Sequence, residues 1–155
     1  MSGESALAWL QAYAPDLKLI DHARSTATVA EAAEVLGVEP GRIAKSLAIR
    51  VGETVYLLLA RGDARLDNAR CKAELGGRPR MLDAEETLAV TGHAVGGVCP
   101  FGLASELAIL ADRSLLAYPT VFPAAGTRTS SVEVEPARLA ELVGARWVEV
   151  CKLPE

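Results

Sequence analysis

The sequence predicts an α+β domain with a mixed or largely antiparallel sheet flanked by helices. Three observations carry this expectation. Arg42–Val51 and Glu53–Ala60 are two strand-like runs joined through Gly52. The second of them, VYLLLA, is apolar on both faces, which places it in the middle of a sheet. The helical stretches around them are short and do not alternate regularly with strands as βαβ units would.

The elements follow from local signals. Ser5–Tyr13 reads as a helix, with Leu7, Leu10 and Ala14 at helical spacing and Pro15 as its stop. Leu17–Asp21 is a short strand candidate. Thr28 with Glu31 three residues on makes a capping box, and the helix it opens ends at Gly37. Pro40-Gly41 is a turn. Asn68–Leu75 is helical and closes at Gly76-Gly77. Asp83 caps a helix through Val90, with Glu85 and Glu86 in its first turn. A glycine-rich loop runs from Gly92 to Gly102. Leu107–Phe122 is apolar enough for two strands, and Thr129–Val134 alternates as a strand. Pro136 opens a helix through Leu142, and Arg146–Cys151 reads as a last strand.

The 155 residues are 50% hydrophobic and 23% charged, which suits one folded domain over 1–155 with its own core. Cys71, Cys99 and Cys151 are an odd set with no CxxC spacing, so a disulfide framework is not expected and cytoplasmic, reduced thiols are. With only His22 and His93 beside them, no metal site and no cofactor are expected. No apolar run is long enough for a membrane span, and the start lacks a signal-peptide pattern. No apolar surface helix stands out, so a monomer is expected. The net charge of −4 excludes a generally basic nucleic-acid coat protein. The segment Arg61–Arg80 is locally basic, with Arg61, Arg65, Arg70, Lys72, Arg78 and Arg80 against Asp63, Asp67 and Glu74. It reads either as a solvated surface or as a phosphate-contacting patch.

Two features point to chemistry. Lys45 falls, by strand alternation, on the same face as Ile43, Leu47 and Ile49. A lysine there must snorkel to an edge or find an anion. The second is Gly96-Gly97-Val98-Cys99-Pro100-Phe101-Gly102. Its glycines let a backbone approach a ligand closely, and free N–H groups at Gly97, Val98 and Cys99 could face an oxyanion. The loop carries no nucleotide-binding fingerprint. Cys99 with His93 is a conceivable nucleophile and base, against the plainer reading of a small buried thiol. Thr127, Thr129, Ser130 and Ser131, after Gly126, could line a polar pocket or face water. No catalytic triad assembles.

Taken together, TATVAEAAEVLGVEPGRIAKSLAI, LDNARCKAELGG and LDAEETLAVTGHAVGGVCPFGL resemble the YbaK/ProX family of aminoacyl-tRNA deacylases, relatives of the editing domain inserted in bacterial prolyl-tRNA synthetases. The resemblance covers about Leu17 to Val150. It implies the editing-domain fold and hydrolysis of the ester between a wrong amino acid and the 3′-terminal adenosine of a tRNA. Lys45 matches the family's essential lysine, with a role in holding the terminal adenosine or its phosphate. Gly96, Gly97, Val98, Cys99 and Pro100 match the GxxxP loop, whose amides would stabilise the tetrahedral oxyanion. Thr28, Ser46, His93, Phe101, Gly102, Gly126, Thr127 and Thr129 would line the substrate site, and Arg61, Arg65, Arg70 and Lys72 would meet the tRNA backbone. The implied attack is by water, helped by the substrate itself, and the protein would act in trans as a free-standing factor. A cognate synthetase is a second implied partner. His93 stands where the family often has an aromatic residue, and Cys99 where it has Ser or Thr, so the resemblance leaves the amino acid open. Two other readings are a non-catalytic aminoacyl- or nucleotide-binding module of the same fold and a Cys99–His93 hydrolase.

Overall fold

In the computed structural model, which describes residues 2–154, the strands form one six-stranded sheet and two small two-stranded ones. The expected domain was drawn over 1–155; residues 1 and 155 lie outside the described residues. The helices are α1 (Ser2–Tyr13), α2 (Val29–Leu36), α3 (Asn68–Leu75), α4 (Ala84–Thr91) and α5 (Pro136–Val143). The strands are β1 (Ile20–Asp21), β2 (Ile43–Val51), β3 (Thr54–Arg61), β4 (Arg65–Leu66), β5 (Arg80–Met81), β6 (Ala108–Asp112), β7 (Phe122–Pro123), β8 (Ser130–Ser131), β9 (Arg146–Val148) and β10 (Cys151–Lys152). The expected α+β class holds, with four antiparallel and three parallel strand pairings among the described residues.

β3 lies inside the main sheet, whose order is β5-β2-β3-β6-β9, with β7 also on β2. Its alternation feeds two cores. Leu59 joins Ala44 and Ala111 under α1 and α5, where Leu10 and Leu139 close the layer. Leu58 and Ala60 join Ile49, Val51 and Leu110 on the opposite face, against Cys71 of α3. Leu57, Leu58 and Leu59 are fully buried; burying a leucine is worth about 1.5–3 kcal/mol. A third, smaller cluster seats Ala32 and Ala33 of α2 on Ile43 and Phe122.

The helix ends follow local chemistry. Thr28 Oγ1 accepts from Glu31 N at 3.1 Å, and Asp83 accepts from Glu86 N at 2.8 Å. Gly37 and Gly76 close α2 and α3 in the left-handed region, at φ 69° and 84°.

Other expectations are corrected by long-range pairing. Leu17–Asp21 shortens to β1, which pairs with β8. Leu107–Phe122 contains one strand, a 3-10 turn over Arg113–Ala117, and then the start of β7. Thr129–Val134 reduces to β8 plus single bridges from Ser131 to Ala124 and Val134 to Val121. Arg146–Cys151 splits, because β9 joins β6 while β10 leaves to pair with β4.

Asp112 fixes that split. Its buried carboxylate accepts from Val150 N at 2.8 Å and Cys151 N at 3.2 Å through Oδ1, and from Ser114 N at 3.0 Å through Oδ2. β10 then holds β4 through Cys151 opposite Leu66. Asp112→Ala strands two buried donors, at Val150 and Cys151, and a part-buried one at Ser114; each buried donor costs about 1–3 kcal/mol. The variant is expected to lose about 3 kcal/mol or more of unfolding free energy, read from its denaturant midpoint.

Candidate active site

The outer edge of β2 is covered at both ends and open in the middle. β7 pairs with Ile43–Ala44 and β5 with Ile49–Arg50, leaving Lys45–Leu47 uncovered on that side. A cavity of about 350 Å³ opens onto this stretch. α2 walls one side with Val29, Ala32 and Leu36, and α4 contributes Thr87. Val95, Gly96 and Val98 of the glycine-rich loop, with Ser130 and Ser131 of β8, close the rest. No carboxylate, imidazole or thiol lines it among the described residues.

Lys45 is half-buried at this cavity, and its ammonium donates to the Ala64 carbonyl in the β3–β4 turn. The lysine on an apolar strand face thus resolves as a carbonyl-held cation. Burial pushes its pKa down, and the nearby Asp63 carboxylate opposes that shift.

The loop differs from the expectation in one donor. Gly97 N–H is spent on Ala94 O at 3.0 Å, within the loop's own turn. The amides of Val98 and Cys99 have no protein acceptor among the described residues. Gly96 needs φ +100°, and a Cβ there would sit 3.1 Å from Ala27 Cβ and Arg128 Cγ. Gly97 rests on backbone: a Cβ would come within 2.9 Å of the Gly126 carbonyl. Gly126 therefore supports the loop from behind.

His93 and Cys99 point away from the cavity. His93 is fully buried, and its Nε2 lies 2.7 Å from Phe101 O. A carbonyl only accepts, so Nε2 carries the proton. It cannot then take a proton from Cys99, whose Sγ is 3.6 Å away and itself donates to Phe101 O. Burial pushes the Cys99 thiol up to about 12 and the His93 imidazole down from its ordinary value. The nucleophile–base pair is therefore corrected to a buried brace between the two ends of the loop.

Of the residues proposed for the site, Lys45, Ser46, Thr28, Gly96 and Val98 line the cavity. The Thr28 hydroxyl is committed to capping α2. His93, Phe101, Gly102, Gly126, Thr127 and Thr129 do not line it. Phe101 is core, 5.4 Å from the Trp9 ring, and Gly102 abuts the backbone of α1 at Ser5. Thr127 Oγ1 meets Ser130 Oγ at 2.6 Å and shapes the turn before β8. Cys99 and Pro100 are buried behind the loop. Of the basic set, Arg61 pairs with Asp63 and stacks on Tyr118, and Arg70 donates to Cys151 O. Arg65 and Lys72 are exposed.

Of the hydroxyls read from the sequence as lining a polar pocket or facing water, Ser130 and Ser131 line the cavity, and Ser131 is held by His22 Nε2 at 2.8 Å. Thr26 had no sequence signal; it is held by Arg128 O through both its amide and hydroxyl. Arg128 is exposed and lies against Gly96 of the loop that lines the cavity. Its neighbour is distant in sequence, so no local pattern marks it.

Such a site can hold and polarise a carbonyl, and no carboxylate, imidazole or thiol lines it among the described residues, so binding or hydrolysis of an acyl group is the chemistry it can serve. Comparison with known proteins narrows the class. Residues 23–142 match the aminoacyl-tRNA editing domain, and the chain belongs to that family. It is 48% identical over 130 residues to the uncharacterized protein YwhH of Bacillus subtilis, covering 83% of each chain. Over 89 residues it is 38% identical to a proline–tRNA ligase of Thermotoga maritima, spanning 57% of this chain but only 15% of the ligase. A crystal structure provisionally described as a trans-editing enzyme for prolyl tRNA synthetase superposes with a TM-score of 0.88 at 34% identity, over 97% of each chain.

His93 gives this site a pH signature. Its folded pKa is lowered, so below about pH 6.5 the unfolded chain binds the proton that the native chain refuses. Native stability is expected to be level above that pH and to fall as pH drops through it. In His93→Gln, denaturant titrations at a series of pH values should show that part of the slope removed.

Proposed function

We propose that the protein hydrolyses mischarged aminoacyl-tRNA in trans, with tRNA for proline carrying alanine, cysteine or another small amino acid as the expected substrate. The observation that carries this reading is one cavity joining Lys45 to the Gly96–Val98 loop in a member of the editing family. The likeness over 97% of both chains to a structure provisionally described as a trans-editing enzyme supports action in trans. The location follows the substrate, which is cytoplasmic; among the described residues no helix is long and apolar enough to cross a membrane.

Each group has a role in this reading. Lys45 binds the terminal adenosine or its phosphate as a cation. The amides of Val98 and Cys99 stabilise the oxyanion that forms when water adds to the ester carbonyl. The tetrahedral intermediate then expels the ribose 3′ oxygen, which takes a proton from solvent or from its 2′-hydroxyl neighbour. An aminoacyl ester is already activated, so placement and a few fixed dipoles suffice. Arg65, Lys72 and Arg128 are exposed cations that the phosphate backbone can meet, and binding through them weakens with salt. Editing is needed because a methylene changes binding by only about 1–3 kcal/mol, too little for a synthetase to reject small competitors.

The test is deacylation of a panel of tRNAs charged with Ala, Cys, Ser, Thr and Pro. Hydrolysis of one or a few species, reduced about 100-fold or more by Lys45→Ala, is the expected result. Cys99→Ala keeps the main-chain amide and should retain most of the activity. Collapse of Cys99→Ala would restore the cysteine-hydrolase reading. Binding of tRNA with no hydrolysis of any species would make the protein a non-catalytic module.

A further inference from the structure

The open stretch of β2 carries a reader of its own. The register of β2 on β3 runs without a break from Ala44–Arg61 to Val51–Thr54. Peptide groups along such a strand alternate sides. Ala48 O points to the outer edge, because it accepts from Leu82 N at 3.1 Å. Ser46, two residues back, therefore presents its N–H and C=O to the same edge, between the stretches that β7 and β5 cover. Its Oγ is also buried without a hydrogen-bond partner. These main-chain groups lie on the edge that borders the cavity Ser46 lines.

The charge of that cavity is one-sided. Among the described residues that line it, none is acidic, and Lys45 alone is charged. An ammonium entering here would lose its water, find no carboxylate and meet a like charge. A neutral amine would find the Ser46 carbonyl as an acceptor.

We infer that the site reads the acyl group as an uncharged, strand-like unit, with the amine bound in its neutral form and donating to Ser46. This rests on the deacylase reading above and adds the chemical form of the substrate. Specificity at the α-position is then for a hydrogen-bond donor, not for a positive charge. An α-hydroxy acid satisfies the same acceptor, and an acid with only hydrogen at that position does not.

Three esters on one tRNA test the inference: alanyl, its hydroxy analogue lactyl and its deamino analogue propionyl, or the matching trio for whichever amino acid the panel identifies. Each enzymatic rate is divided by that ester's own uncatalysed rate, since the amine itself activates the ester. The expected enhancement for lactyl is within about threefold of alanyl, and propionyl falls by about tenfold or more, because a site built to bond a donor rejects the analogue lacking it. Lactyl falling together with propionyl would show that the ammonium is read and would overturn the inference. Propionyl matching alanyl would show that nothing reads the amine and would overturn it as well. If no aminoacyl ester in the panel is cleaved, the deacylase reading itself fails, and this inference fails with it.

Discussion

The site exists because one strand is paired along one edge and only partly along the other. β2 gives its inner edge wholly to β3, and two short strands cover only the ends of its outer edge. The gap between them leaves polar main chain facing a cavity in the middle of an otherwise paired strand. Keeping such a gap open requires rigid surroundings. The triple leucine run of β3 anchors β2 from behind, and α2, seated on Ile43 and Phe122, walls the opening. Lys45 reaches the same region because the β3–β4 turn offers it the Ala64 carbonyl. That turn is held in place through β10 and Asp112.

The chemistry assembled around the gap is sparse, and the sparseness is informative. Cys99 and His93 have the residue types of a nucleophile and its base, yet both direct their protons at one carbonyl inside the core. A thiol pushed up to about 12 is protonated at any physiological pH. For the proposed hydrolysis, the cavity offers main chain, one cation and a set of hydroxyls, all held by packing. This suits an ester that is already reactive, for which orientation and fixed dipoles supply most of the needed acceleration.

Local signals made much of the fold legible. Thr28, Asp83, Gly37 and Gly76 mark helix ends by chemistry within a few residues, and α3 runs over the segment its sequence predicts. The position of β3 was legible because a strand apolar on both faces has nowhere else to go. What failed was set at a distance. β4 and β5 are two-residue strands that exist only through partners far along the chain, and the split of β9 from β10 depends on a carboxylate nearly 40 residues earlier. Lys45 and the Gly96 loop were legible as candidates. Which loop amides are free, and which way His93 faces, depended on Ala94 and on the Phe101 carbonyl. The meeting of Arg128 with Gly96 was invisible because it joins segments more than 30 residues apart.

The central claim is that the cavity on the open edge of β2 is the acyl site. The most direct measurement is a titration of the isotope-labelled protein with an uncleavable, amide-linked alanyl-adenosine, followed by backbone amide resonances. The account predicts saturable shifts at Ser46 and at Gly96, Val98 and Cys99, with the resonances around Asp112 unchanged. Shifts centred instead on the shallow depression between Leu17 and Arg138, with Ser46 and Val98 unmoved, would contradict it.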